Sequence, residues 1–360
     1  MNQHTDTRLD NFIQNDAIAA IVMRQNLKPV EGDHAVIFPP TYKDIGYNID
    51  KLDLSGEIKT VCTIDSVGSQ ANRMEPIFKK PPYSDLIPRI KVEIRKQAPR
   101  GEEIGELIDE VDLLDAGHRI ADAVVRFSDG AEEIETAFEK LKKGDASAMA
   151  KLAPTSLVFG CWDSRGSSVK LPRIVRSAIR AYNAYKLTRS AQYVPATENY
   201  EEAFVKLSDK ERNKFSKAGM NHALRTGEPG GVILDSNGYI LKEAVLSLSA
   251  LRALQAQEDE ATMKLQRYIL GLSLVSLTAP QDPLLRMGCE LTADPDRPGT
   301  WEQVNCDGTR APVAISHDDA IAFAKQAAEE FGVGKSKTFI FDPKIAKEAL
   351  HKKDKEDEGK

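Results

Sequence analysis

LVFGCWDSRGSSVKLPRIVRSAIRAYNAYKLTRSAQY, residues 157–193, is the stretch on which the reading of this chain turns. Its opening run, Leu157 to Phe159, is apolar and reads as a short buried strand. A loop with Trp162, Asp163, Arg165 and serines follows, and Pro172 stands where proline opens a helix. Helical spacing then puts Arg173, Arg176 and Arg180 on one face and leaves Val175, Ala178, Ile179 and Tyr182 to bury the other. Between 161 and 193, seven basic residues (Arg165, Lys170, Arg173, Arg176, Arg180, Lys186, Arg189) face the single acid Asp163, in a chain of net charge −6. A concentrated basic surface on an acidic molecule selects a polyanionic partner. The plain alternative is a solvated helix whose arginines pair with acids elsewhere. Arg165 and Lys170 in the adjoining loop tip the balance toward nucleic acid.

Outward from this stretch, strands and helices alternate. Residues 1–30 read as a helix with Ile13, Ala17, Ile18, Ile21 and Val22 on its apolar face, and 35–38 as a strand stopped by Pro39 and Pro40. Lys59 to Ile64 is a buried strand by length and β-branching, running into a helix that Asp65 or Ser66 can cap. Residues 88–96 alternate Ile90, Val92 and Ile94 with Lys91, Glu93 and Arg95, the pattern of an amphipathic strand in an antiparallel pair. Helices are expected over 117–127, 131–143, 243–256, 259–278 and 318–331, and strands over 284–291 and 338–341. A hairpin is expected at 232–241 with Asp235 to Gly238 as its tip. Residues 199–226 read as an exposed helical insertion, 293–312 as a loop, and the last ten residues as a charged, disordered tail. The class is α+β, with a ferredoxin-like core and large insertions fitting the order.

Composition excludes several functions. The start of the chain has no basic region followed by an apolar stretch, so no secretory signal and a cytoplasmic location are expected. The most apolar run, 268–279, is too short to span a bilayer. Four separated cysteines fit reduced thiols better than a disulfide frame or a zinc site, so no metal or cofactor is expected. Gly332-Val333-Gly334-Lys335-Ser336 lacks the first glycine of a P-loop and follows a helix, so it is rejected. His118 stands alone and reads as a structural hydrogen-bonder. Asp65 ends a strand, where a carboxylate could hold a metal or activate a 2′-hydroxyl, but a helix cap is the commoner role. Trp162, Tyr182, Tyr185 and Tyr193 lie near the basic stripe and could stack bases, although Tyr182 is expected to face inward.

Three stretches taken together resemble one family: IDSVGSQANRME (64–75), GHRIADA (117–123) and LVFGCWDSRGSSVKLPRIVRSAI (157–179), with FPPTY (38–42) added to them. The chain resembles, over 35–345, the backbone subunit of a type I-U (also called I-G) CRISPR Cascade complex of the RAMP superfamily. The resemblance implies an RRM-like palm with finger and thumb insertions over 1–345 and a charged tail over 346–360. It implies a non-enzymatic scaffold whose copies polymerise head to tail along a crRNA and hold it for pairing with target DNA. The other partners it implies are further Cascade subunits and a recruited helicase–nuclease, with no membrane. The residues expected to grip RNA are Ser66, Gln70, Asn72, Arg73, Arg119, Arg165, Lys170, Arg173, Arg176 and Arg180. Such a grip needs phosphate contacts rather than base-edge contacts. Two competitors remain: a backbone subunit that cuts target RNA with Asp65, and a metabolic α/β enzyme holding an anionic substrate with Arg173 and Arg176.

Overall fold

Residues 175–193 form a strand, the reverse of the helical expectation. Val175, Ser177, Ile179 and Ala181 are buried on one side, while Arg176, Arg180 and Tyr182 are exposed or half-buried at the alternate positions, a period of two in which the small Ala178 is buried as well. Leu157 to Phe159, expected as a strand, instead close a buried helix that Pro154 opens and Gly160 ends. Gly160 has φ 75°, and a Cβ there would lie 2.9 Å from the Leu171 carbonyl oxygen, so the turn between helix and basic loop requires glycine.

The structure, a computed structural model, describes residues 7–54, 56–97, 104–197, 203, 208–215, 218–220 and 222–349. The tail from 350 and much of the expected 199–226 insertion lie outside the described residues. The first elements are α1 (Thr7–Gln14), β1 (Ile18–Pro29), β2 (Thr41–Tyr42), β3 (Gly46–Tyr47), β4 (Ile49–Leu54), β5 (Glu57–Asp65), α2 (Val67–Met74), β6 (Ile90–Arg95) and β7 (Leu107–Asp112). The middle of the chain forms α3 (Ala123–Arg126), α4 (Ala131–Lys142), α5 (Ser147–Leu152), α6 (Pro154–Phe159), β8 (Val175–Tyr193), α7 (Asp209–Phe215) and β9 (Ala223–Ser247). There follow α8 (Leu248–Arg252), α9 (Asp259–Thr278), β10 (Leu284–Arg286), β11 (Cys289–Ala293), β12 (Thr300–Asn305), β13 (Arg310–Pro312), α10 (His317–Phe331) and β14 (Lys337–Ile340).

Among the described residues, nine strands join in one antiparallel sheet of order β10-β11-β1-β9-β8-β5-β4, with β12 pairing β1 and β13. A second sheet, β14-β6-β7, sets β14 parallel to β6. The molecule is therefore α+β. The expected helix over 1–30 is short, and its second half is β1, in which Ile21 and Met23 are buried on the face opposite Val22 and Arg24. The expected hairpin at 232–241 is one long strand, β9. Its register against β8 jumps from Tyr182↔Tyr239 to Ala184↔Leu234, so Asp235 to Gly238 bulge out instead of turning the chain. Turn-forming residues fit a bulge as well as a hairpin tip, and only the pairing partner decides between them. Likewise 243–247 continues β9, 284–291 is a hairpin of two strands, and the expected loop 293–312 contains β12 and β13. Residues 35–38 make only an isolated bridge, Ile37 to Val232.

One face of the large sheet is covered. Ile21, Met23, Val175, Ala244 and Leu246 belong to a core shared with α5, α6, α9 and α10. Helix α9 is buried continuously from Leu265 to Leu277, as a helix apolar on all sides must be. Its polar groups find internal partners: Tyr268 donates to the Leu86 carbonyl at 2.8 Å and Gln266 to the Leu254 carbonyl at 2.9 Å. A second cluster, with Cys62, Ile64, Ile179, Ala181, Ile240 and Leu291, lies further along the same face. Between the two clusters β8 places Ser177 and β9 places Lys242, so a buried polar seam divides the core.

Candidate nucleic-acid interface

The uncovered face of the sheet collects charge from strands far apart in sequence. Alternation along β1 turns Ala20, Val22 and Arg24 outward, and the register pairs Val22 with Glu302 and Ala20 with Val304 on β12. Across β9, Arg24 stands opposite Glu243, and on β8 Arg176 pairs with Val245. Arg310 on β13 pairs with Val304. A shallow groove of about 500 Å³ on this face is lined by Arg24, Arg176, Arg180 and Arg310 set against Glu243, and Glu302 pairs with Arg24 and Arg310 beside it.

The pairing inside the groove is loose. Arg24 donates to Glu302 at 2.9 Å and to Glu243 at 3.3 Å, and Arg310 donates to Glu302 at 3.1 Å. Arg180 stands 4.0 Å from Glu243, and Arg176 is exposed with no ion-pair partner among the described residues. Exposed pairs of this kind contribute about 0–1 kcal/mol, so a phosphate can displace a carboxylate at little cost. Next along the same face, Tyr182 and Tyr239 stack with centroids 4.7 Å apart and planes 16° from parallel. Tyr182, expected inside, is half-buried on the open side. Its phenol is held above its usual range by burial first and then by the Glu243 carboxylate.

Before β8, the loop 161–171 is built around Asp163, whose buried carboxylate accepts from the Ser167 amide at 2.6 Å and hydroxyl at 2.9 Å. Backbone bonds from Asp163 to Val169 and from Leu171 to Cys161 close it. This frame turns Trp162, Arg165 and Lys170 outward. Trp162 is 61% exposed, with the Lys170 ammonium 5.5 Å from its ring centroid. Arg173 is exposed at the loop's end and lies outside the strand, so it does not share a face with Arg176 and Arg180 as a helix would have arranged. Its guanidinium titrates below its usual range through burial and the nearby Arg119 charge.

The remaining expected contacts divide between surface and interior. Ser66 is the cap of α2, accepting from the Ser69 amide at 3.3 Å, and Asn72 is exposed on that helix. Gln70 is fully buried, donating to Asp65 at 2.6 Å and accepting from Ser177 at 3.0 Å. It is part of the seam rather than the surface. Arg119 is buried against Glu75 at 2.7 Å and the Gly160 carbonyl at 3.1 Å, with its ring-face neighbour Phe159 at 5.4 Å, so it braces the loop from inside. Burial pushes the Glu75 carboxyl up, and the Arg119 charge opposes that. Arg73 spans Asp65 at 3.0 Å and the Leu285 carbonyl. Asp65 itself caps nothing: it is 3% exposed and occupied by Gln70 and Arg73. No group of three or more His, Cys, Asp or Glu among the described residues is arranged to hold a metal ion.

The sequence reading missed Arg24, Arg310, Tyr239, Glu243 and Glu302. A period-two reading of 18–24 would have paired Arg24 with Val22 and Ala20, but its meeting with Arg176 depends on strand register.

The sequence model of a family described as CRISPR-associated protein GSU0053 matches residues 21–186, a span with most of β1, all of β5 and α2, and β8 as far as Lys186. No curated protein matches the chain. Among solved structures it is similar to the crystal structure of Thermofilum pendens Csc2, at 12% identity, over 96% of this chain and 79% of that one, with a TM-score of 0.26. A superposition of that quality adds no argument about fold or function. No helix among the described residues is long and apolar enough to cross a membrane.

Proposed function

We propose that this chain is the crRNA-binding backbone subunit of a CRISPR effector complex of the I-U/I-G kind, holding the guide along the open face of its large sheet. The observation that carries this reading is the groove in which β1, β8 and β13 converge four arginines beside a stacked tyrosine pair. Guanidinium groups grip phosphates without reading sequence, and an aromatic ledge accepts any base. The family match over 21–186 supports the CRISPR assignment. The strand order supports a ferredoxin-like palm. Taken as strand, helices, strand, strand, helix, strand, the units β1, α4–α6, β8, β9, α9 and β12 place the fourth strand beside the first and the third between the first and second. In this reading β4 and β5 extend the palm at one edge, and the protein is a scaffold with no cutting step of its own. A soluble, cytoplasmic complex of several such subunits, pairing its guide with target DNA and recruiting a helicase–nuclease, belongs to the same proposal.

The test is a salt titration of single-stranded RNA binding. Arg176→Gln together with Arg180→Gln should weaken binding to all sequences alike and lower the slope of log K against log salt by about 1.4, since each single-strand phosphate contact contributes about 0.7. An unchanged slope removes the sheet face from the RNA path. Loss of slope in Arg165→Gln with Lys170→Gln alone would move the path to the Trp162 loop.

A further inference from the structure

A separate cavity lies on the opposite, covered side of the sheet, where the polar seam meets the loop after α9. It measures about 520 Å³ and its walls are mixed, with Met23 and Ile179 on the sheet, Leu291 on β11 and Trp301 on β12 supplying apolar surface beside polar groups that include Gln25, Thr278 and His317. Among the described residues, Lys242 is the ammonium in its wall. Lys242 is 8% exposed, and its ammonium donates to the Gln281 side-chain oxygen at 2.6 Å. No carboxylate among the described residues pairs with it directly. The nearest acid of the seam, Asp65, is already occupied by Gln70 and Arg73. The Gln281 oxygen accepts from the ammonium, and its amide nitrogen is buried with no partner. His317, also in the wall, has both ring nitrogens engaged, by Thr278 and Tyr83 at 2.9 Å each. Asp282 lies at the exposed rim and accepts from the Leu284 amide.

The buried ammonium and the amide that accepts from it therefore form one pair at the cavity wall, and neither has a carboxylate partner among the described residues. Buried cations are ordinarily paired, and an unpaired donor is a lost hydrogen bond. We propose that this cavity binds a small organic anion, with its carboxylate or phosphate head on Lys242 and Gln281 and a flat apolar body against Ile179, Leu291 and Trp301. The volume suits a ligand no larger than a mononucleotide. Burial brings the Lys242 ammonium down to about 8, which leaves it charged at neutral pH and able to take an anion there. The inference is independent of the RNA groove, which lies on the other face of the sheet.

Adenosine 5′-monophosphate and indole-3-acetate are the probes, with adenosine and indole-3-acetamide as their neutral counterparts, each titrated calorimetrically into the full chain at pH 7. At least one anion should bind at one site per chain, about tenfold or more tighter than its neutral counterpart. The phosphate and carboxylate arms identify the head group. Lys242→Met should weaken it by at least about tenfold, and affinity should fall as pH rises above 8. Ala293→Phe, which fills the cavity from its exposed rim, should abolish binding without touching the lysine. Arg176→Gln with Arg180→Gln should leave it unchanged. Failure of both anions to bind, equal binding of the neutral compounds, unaltered affinity in Lys242→Met or Ala293→Phe, or loss of binding in the groove variant each overturns the proposal.

Discussion

Lys242 carries its charge where water scarcely reaches, and the protein's pH dependence should show it. Burial lowers its pKa from 10.5 to about 8. Between those values the unfolded chain binds the proton and the folded chain does not, so wild-type stability rises with pH across that window. Below pH 8 the charged side chain costs the fold up to about 3 kcal/mol, taking about 1.4 kcal/mol per tenfold change in acidity. Lys242→Met should therefore be the more stable protein at pH 7, and its advantage should shrink by pH 10. Urea melts at the two values check this, and a variant less stable at both would show that the Gln281 bond outweighs desolvation. Asp65 behaves oppositely. Because it satisfies Gln70 and Arg73 instead of capping α2, Asp65→Asn should cost about 2 kcal/mol, through lost charge-assisted hydrogen bonds. Ser66→Ala, which removes the true cap, should cost about 1 kcal/mol. The reverse ranking would restore Asp65 as the cap.

Among the elements, α9 and α10 pack closely at Gly271, where a Cβ would stand 2.7 Å from the Ala324 Cα. Two effects oppose each other in Gly271→Ala. Helix propensity favours alanine by about 1 kcal/mol. Overpacking in a rigid helix pair costs about 1–3 kcal/mol, and the contact is with backbone, which cannot rotate away. The substitution should therefore lower the denaturant midpoint, and a raised midpoint would mean that the helices separate freely. The strand β8 shows a different lesson at this scale. Arg176 and Arg180 are four residues apart, a spacing that shares a face in a helix and in a strand alike. Only Arg173 distinguished the two, and the alternation of Val175, Ser177, Ile179 and Ala181 was the better guide to the strand that forms.

For the whole molecule, the proposed role requires more than one copy. A chain that follows an extended RNA makes head-to-tail contacts, which repeat until the strand or a different subunit ends them. Guide-loaded protein should sediment as a large species whose mass grows with RNA length, while the Arg176→Gln, Arg180→Gln variant should remain small. A wild-type complex of one chain per RNA at every length would rule out the scaffold role. The net charge of −6 favours this localised binding over coating, because the arginines of the groove are the exception on an acidic surface.

Local pattern was enough for β5, β6, α4, α9, α10 and β14, where length, alternation or a complete apolar surround names the element without help from its neighbours. The concentration of basic residues over 161–193 was legible for the same reason, since charge can be counted along the chain. Pairing decided the rest. Asp235 to Gly238 carry turn residues, and they become a bulge because Leu234 and Tyr239 both find partners on one strand, β8. Gln70 and Arg119 look like surface donors, yet each is drawn inside by a partner remote in sequence, Ser177 and Glu75. The groove joins residues 24, 176, 180, 243 and 310, and the cavity joins 242 to 281 and 301. Side-chain direction along a strand is a local property with a period of two. Which strand lies alongside, and in what register, is settled by burial summed over the whole sheet, so these sites exist only in the folded molecule.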